Sequence, residues 1–335
     1  MAFLLVTIMP SLYKAGIVSI YEYLERRFDA SSRLLISIVF QISRSVATGV
    51  MVYTMALILQ ATVGIEFWIS VLLIGVITMI YSFQGGMKAV IWGDVIQMII
   101  LFFGIVICLI YGLSELGGWD SFVNQVDTNR LNAVNFTKWG FNNADGNDEF
   151  GFWPMVIGGF FLYASYYGTD QTQSQRLLSA KGLPTVKKLL IANGIFRFPV
   201  TLTYCIMGLV LGTLLLNNLG FQESITQVYE ANISSLEGKR ADLMVPVFII
   251  KFLPNGIIGI LLVAIMSAAM SSLSSTVNSL SAVTIEDFIK RFKGDLSNDQ
   301  YVKYSRVLSV FWGLVCLFFA FFCGFNRRNC NRSHQ

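Results

Sequence analysis

The sequence predicts an all-α, polytopic membrane protein. Three observations carry this. Apolar runs of bilayer-spanning length recur from end to end of the 335 residues. Only 13% of the chain is Asp, Glu, Lys or Arg. A soluble domain carries about 25%, so the polar surface is too small to cover a compact globule. Hydrophobic residues make up 55%, and mean hydropathy is +0.63. This composition excludes a disordered chain, a nucleic-acid-binding module and an ordinary cytosolic enzyme.

The apolar run 1–12 comes first. As a helix it rises about 18 Å, short of a hydrocarbon core of about 30 Å. It is therefore expected to be the tail of a span that begins upstream. It lacks the basic n-region and small-residue cleavage site of a signal peptide. Full spans are expected at 34–62, 67–83, 90–113, 153–171, 190–216, 255–284 and 305–324. Gly85-Gly86-Met87-Lys88 marks a turn between the second and third of these. The last stretch, 325–335, is an atypical polar tail. Alternation puts its arginines on the outer face, against the usual charge rule, and the expectation is a chain that stops early.

The basic residues give the orientation. Threading the spans alternately places 13–33, the turn at Lys88, 172–189 and 285–306 on one side, with fourteen Lys and Arg between them. The opposite loops, 114–152 and 217–245, hold only Arg130, Lys138, Lys239 and Arg240. The first side is cytoplasmic by the positive-inside rule. In the outer loops Asn135-Phe136-Thr137 and Asn232-Ile233-Ser234 fit N-glycosylation spacing.

An ionisable group inside the bilayer costs about 2.5–3.5 kcal/mol on insertion scales and needs a reason to be there. Arg44, in Gln41-Ile42-Ser43-Arg44-Ser45, lies about 15 Å along its helix from Leu34, too deep to snorkel easily. Its guanidinium fork suits a solute carboxylate, and it equally suits an internal ion pair. Asp94 lies one turn into the span 90–113. It is either a carboxylate favoured by a helix start or part of a cation path. Span 255–284 carries a stripe of small polar residues that includes Ser267, Ala268, Ser271, Ser272 and Ser275. Small residues let helices approach closely. The alternative is an oxygen-rich face, with the Ser271 and Ser272 hydroxyls and the Ala268 carbonyl suited to a hard monovalent cation. Tyr163, Tyr166 and Tyr167 stand before Thr169-Asp170-Gln171 at the inner end of a span. They are either interfacial aromatics or a wall facing a solute.

Other chemistries find little support. The single His334 supports neither a histidine metal site nor a histidine base. Four of the five cysteines, Cys108, Cys205, Cys316 and Cys323, lie in apolar runs, and there is no C-x-x-C. No nucleophile–base pair or phosphate loop appears, and Gly85-Gly86 lacks the spacing of a nucleotide-binding motif. An enzyme is not expected, nor is a cofactor.

Four long stretches resemble the sodium/solute symporter family, in family order. They are Ala15-Gly16…Ser19-Ile20…Glu22-Tyr23-Leu24…Arg27-Phe28, Gly85-Gly86…Ala89-Val90…Trp92…Asp94-Val95…Gln97, Thr169-Asp170-Gln171…Gln175-Arg176…Leu178…Lys181, and Met270-Ser271-Ser272-Leu273…Ser275…Asn278-Ser279. The resemblance covers the chain from near residue 1 to about 324 and implies an inverted-repeat transporter core with binding near the midplane at broken helices. In that frame residues 1–324 are a partial symporter domain, core helices 2 to 9, apparently truncated at both ends. The helix 8 half of the family's sodium site falls on Ala268, Ser271 and Ser272. Asp94 falls on a helix 5 aspartate tied to cation passage. Gly93 stands where many relatives have Thr.

For the solute, the resemblance implies Tyr163, Tyr166 and Tyr167 from helix 6, and Arg44 with Gln41 from helix 3. The sequence around Arg44 is similar to the branch that carries sialic acids. The implied activity is sodium-coupled symport of a small, carboxylate-bearing solute across the cell membrane, with sodium as the coupling ion. A sugar, vitamin or amino acid is the alternative cargo. A membrane sensor on the same fold and an inactive fragment are the alternative roles. The expected partners are the solute, sodium and the bilayer, and not nucleic acid.

Overall fold

The computed structural model describes residues 3–131, 151–232, 243–294 and 296–332. His334, the Asn135 triplet and two residues of the Asn232 triplet fall outside them. The described residues are almost wholly helical. A π-helical turn, Leu4–Ile8, runs into α1 (Met9–Lys14). The Ser19 hydroxyl accepts from the Tyr21 amide to cap α2 (Ile20–Arg27). The Asp29 carboxylate accepts from the Ser32 amide and starts α3 (Ala30–Val63), which ends at Gly64 in the left-handed conformation that glycine adopts without strain. Those Ser32 bonds hold the Asp29 carboxyl below its ordinary pKa.

Next come α4 (Phe67–Glu115), α5 (Trp119–Gln125) and α6 (Phe152–Gly168). They are followed by α7 (Gln171–Leu178), α8 (Leu183–Asn217), α9 (Leu219–Asn232) and α10 (Met244–Phe252). The last three are α11 (Asn255–Val283), α12 (Lys290–Lys293) and α13 (Asn298–Arg332). A second π-helical turn, Thr284–Ile289, joins α11 to α12.

Among the described residues, five stretches are long and apolar enough to cross a membrane: Ala30–Gln60, Ile91–Glu115, Leu183–Asn217, Asn255–Lys293 and Asn298–Phe325. The other two expected spans are helical as well, one in the first part of α4 and the other as α6. Three differences from expectation have physical causes. The turn at Gly85-Gly86 does not interrupt α4, whose backbone is helical through 84–90. Two glycines cost a helix about 1 kcal/mol each against alanine, but without proline they leave every backbone donor in place. Lys88 therefore lies in no loop and adds nothing to the orientation. The span expected to reach 171 stops at Gly168, because the Asp170 carboxylate accepts from the Thr172 amide at 2.8 Å and opens a new helix. The backbone also stays helical from 325 through Arg332, so α13 has no boundary where the polar tail begins.

Three apolar clusters hold the helices together. One joins α3, the first half of α4, α11 and α13 around Val52, Ile74, Leu273 and Cys316. Here α3 and α13 touch closely: a Cβ on Gly49 would come within 2.5 Å of Phe319 Cβ and 2.9 Å of the Cys316 carbonyl. A second joins the far end of α4 to α5, α8, α9 and α10 around Phe122, Leu211, Phe221 and Phe248. A third packs the N-terminal helices against Tyr167, Leu190 and Val283.

The segments expected on the cytoplasmic face meet at one end. Ser19 Oγ donates to Asp287 at 3.0 Å, Arg33 pairs with Asp287 at 2.5 Å, and Tyr13 Oη donates to the Ala180 carbonyl at 3.0 Å. Segments expected outside also meet, with Asn217 donating to Gln125 at 2.8 Å.

Candidate functional site

The break between α6 and α7 is the centre of the site. At 169–170 the backbone leaves the helical conformation, and the chain presents Asp170 to α3. Arg44 Nη1 stands 3.3 Å from Asp170 Oδ2, and both side chains are partly buried. The Arg44 Nε is buried with no hydrogen-bond partner among the described residues. Beside this pair lies a cavity of about 930 Å³. Its walls include Tyr21, Phe40, Ser43, Arg44, Tyr166 and Asp170. It is mostly apolar with a few convergent polar groups, the usual make-up of a small-molecule site. The Tyr166 hydroxyl accepts from Gln173 Nε2 at 2.8 Å, which fixes the ring at the wall. Burial, and then the neighbouring Asp170, raise the Tyr21 phenol well above its ordinary pKa, so it stays protonated.

A second cluster lies where α4, α7 and α11 meet. Ser271 Oγ donates to Asp94 Oδ1, and the Arg176 guanidinium pairs with Asp94 Oδ2 at 2.6 Å. Arg176 also donates to Ser275 Oγ. The result is a carboxylate with two serine hydroxyls, its charge balanced by an arginine from α7.

The structure gathers some expected residues and separates others. Arg44 and Tyr166 share the cavity wall. Gln41 turns the other way and donates to Thr284 Oγ1 at 3.0 Å. Tyr167 and Tyr163 face α8: Arg197 donates to the Tyr167 hydroxyl at 3.1 Å and stacks 4.8 Å from the Tyr163 ring centre. Asp94 and Ser271 meet, whereas Ser272 is exposed and Ala268 half-buried. Sequence reasoning left out Asp170 and Arg176 as partners. The signal was present: two opposite charges within the spans each require compensation, and 170–176 supplies one residue of each sign.

A set of membrane-length apolar helices with a solute-sized cavity at a break between two of them is the layout that secondary carriers use. The profile of the sodium:solute symporter family matches residues 1–327, and the chain belongs to that family, whose members are integral membrane carriers and not enzymes. It is 31% identical over 310 residues to the human sodium/iodide cotransporter, covering 92% of this chain and 46% of that protein. It is 31% identical over 313 residues to human sodium-coupled monocarboxylate transporter 1, covering 92% and 48%. With the rabbit sodium-dependent multivitamin transporter the identity is 30% over 324 residues, covering 93% and 47%. The chain thus spans about half the length of these relatives. A solved structure of a Na+-coupled sialic acid symporter, substrate-bound and outward-open, superposes with a TM-score of 0.80 at 27% identity, covering 97% of this chain and 65% of that one.

Proposed function

We propose that the protein takes part in sodium-coupled symport of a small organic anion, with a sialic acid or a monocarboxylate as the solute class. The observation that carries this reading is Arg44. It is a guanidinium within a membrane-length helix, on the wall of an apolar cavity, with one buried donor unused. A carboxylate is the ligand that fills such a fork. Among the relatives, the monocarboxylate and sialic acid names support the class, and the iodide and multivitamin names do not choose it. On the cation side, Asp94 with Ser271 and Ser275 offers the oxygen ligands that a hard monovalent ion requires.

Arg44→Ala tests the solute assignment. Sodium-driven uptake of N-acetylneuraminate and of pyruvate into proteoliposomes should fall at least tenfold, while the variant still elutes as a monodisperse protein in detergent. Unchanged anion uptake in that variant refutes the assignment, and uptake that ignores sodium refutes the symport.

A further inference from the structure

Each charge that the proposed symport would use for cargo already has an internal partner. Arg44 is held by Asp170, and Asp94 by Arg176. Both partners sit on one short helix, Asp170 as the N-cap of α7 and Arg176 in its last turn. Six residues separate them, about 9 Å along a helix.

We propose that α7 couples the two cargo sites. Arg176 stands in for sodium at Asp94, Asp170 stands in for the solute carboxylate at Arg44, and arrival of sodium withdraws both together. This rests on the symport reading given above.

The contacts suit surrogates that must let go. Asp170 divides its carboxylate, with Oδ1 accepting from the Thr172 amide at 2.8 Å and Oδ2 reaching Arg44 at 3.3 Å. The Arg44 contact is long and single, and Nε stays unpaired. A solute carboxylate binding two donors satisfies the guanidinium better than Asp170 does. At the other end, Arg176 occupies the Oδ2 of Asp94 and the Oγ of Ser275. A cation bound to those oxygens repels the guanidinium and expels it. The seat of α7 is also imperfect: Thr172 Oγ1 and Gln175 Oε1 are buried without partners. Buried unsatisfied oxygens are a cost that a shifted position can relieve. Because α7 is one short helix of about two turns between the sites, moving Arg176 moves Asp170. The coupling is reciprocal by thermodynamic necessity: sodium tightens solute binding, and solute tightens sodium binding by the same factor.

Asp170→Asn isolates the charge, since asparagine keeps an oxygen to accept from the Thr172 amide. Binding of N-acetylneuraminate and pyruvate is measured on the protein in lipid nanodiscs, without sodium and at saturating sodium. The variant should bind about fivefold tighter than wild type without sodium, the scale of a partly exposed ion pair. The enhancement by sodium should shrink by the same factor. Arg176→Gln should lower the sodium concentration needed for half-maximal binding, and Arg176→Lys, which keeps the charge, should restore the wild-type value. Should Arg176→Gln fail to fold, the Asp170→Asn measurement decides alone. Sodium-enhanced binding in wild type with unchanged sodium-free affinity in Asp170→Asn overturns the coupling and leaves the symport reading standing. Wild-type binding indifferent to sodium overturns both.

Discussion

Replacing Arg33 with methionine strands Asp287. The Asp287 side chain has no exposed surface, and it accepts hydrogen bonds from Ser19 at 3.0 Å, from Ser37 at 2.5 Å, and from Arg33 Nε and Nη2 at 2.8 and 2.5 Å. Arg33 supplies two of those bonds and the only opposite charge that contacts this carboxylate among the described residues. Removing one partner of a buried pair costs about 3–5 kcal/mol, because the other charge stays buried and unpaired. Arg33 also reaches Glu25 at 2.5 Å, but Glu25 is 34% exposed and that pair adds only about 0.2–1 kcal/mol. Arg33→Met alone is therefore expected to lose about 3–5 kcal/mol of stability. Adding Asp287→Leu removes the stranded charge. What remains lost is the Glu25 pair and an acceptor for the Ser19 and Ser37 hydroxyls, about 1 kcal/mol each. The double variant should recover part of the loss. Apparent melting temperature in detergent, followed by fluorescence-detected gel filtration, should rank wild type above the double variant and the double variant above Arg33→Met. A double variant as unstable as Arg33→Met refutes the stranded-charge account.

Two further substitutions probe how the helices are joined. Gly49→Ala forces α3 and α13 apart, because its Cβ meets Phe319 Cβ and the Cys316 carbonyl inside contact distance, and overpacking of this kind costs about 1–3 kcal/mol. The same melting assay reads it, and an unchanged melting temperature refutes the close contact. Gln171→Ala removes a fully buried clasp, in which Gln171 Oε1 accepts from the Ile20 amide at 2.9 Å and Nε2 donates to the Val18 carbonyl at 2.8 Å. Backbone hydrogen exchange over residues 15–28 should quicken while α11 stays protected. Equal exchange in variant and wild type refutes the clasp.

Much of this architecture is legible in the sequence, because bilayer burial imposes apolar runs of a set length. The runs behind α3, α8, α11 and α13 each became a long helix. Charge was also readable: the basic segments 13–33, 172–189 and 285–306 touch one another, through Ser19 and Arg33 at Asp287 and Tyr13 at Ala180. The Gly85-Gly86 pair misled, reading as a turn where α4 runs on, since glycine weakens a helix without removing a donor. Nor was the stop at Gly168, which depends on a single side-chain cap. Within the site, the depth of Arg44 and Asp94 marked them as charges that need a partner, either a cargo or an internal one. Their partners lie far away along the chain, and only tertiary packing brings Asp170 to Arg44 or Arg176 to Asp94. The tyrosine cluster reads as one wall in sequence. In the helix successive residues point about 100° apart, so Tyr166 lines the cavity while Tyr167 faces Arg197.

In the proposed symport, one cavity takes an anionic solute in partnership with sodium. Equilibrium binding of radiolabelled N-acetylneuraminate and pyruvate to the protein in lipid nanodiscs, in sodium chloride against choline chloride, tests it most directly. At least one of the two should bind saturably, with sodium strengthening the binding and Arg44→Ala abolishing it. Binding of equal strength in both salts, or binding that survives Arg44→Ala intact, contradicts it.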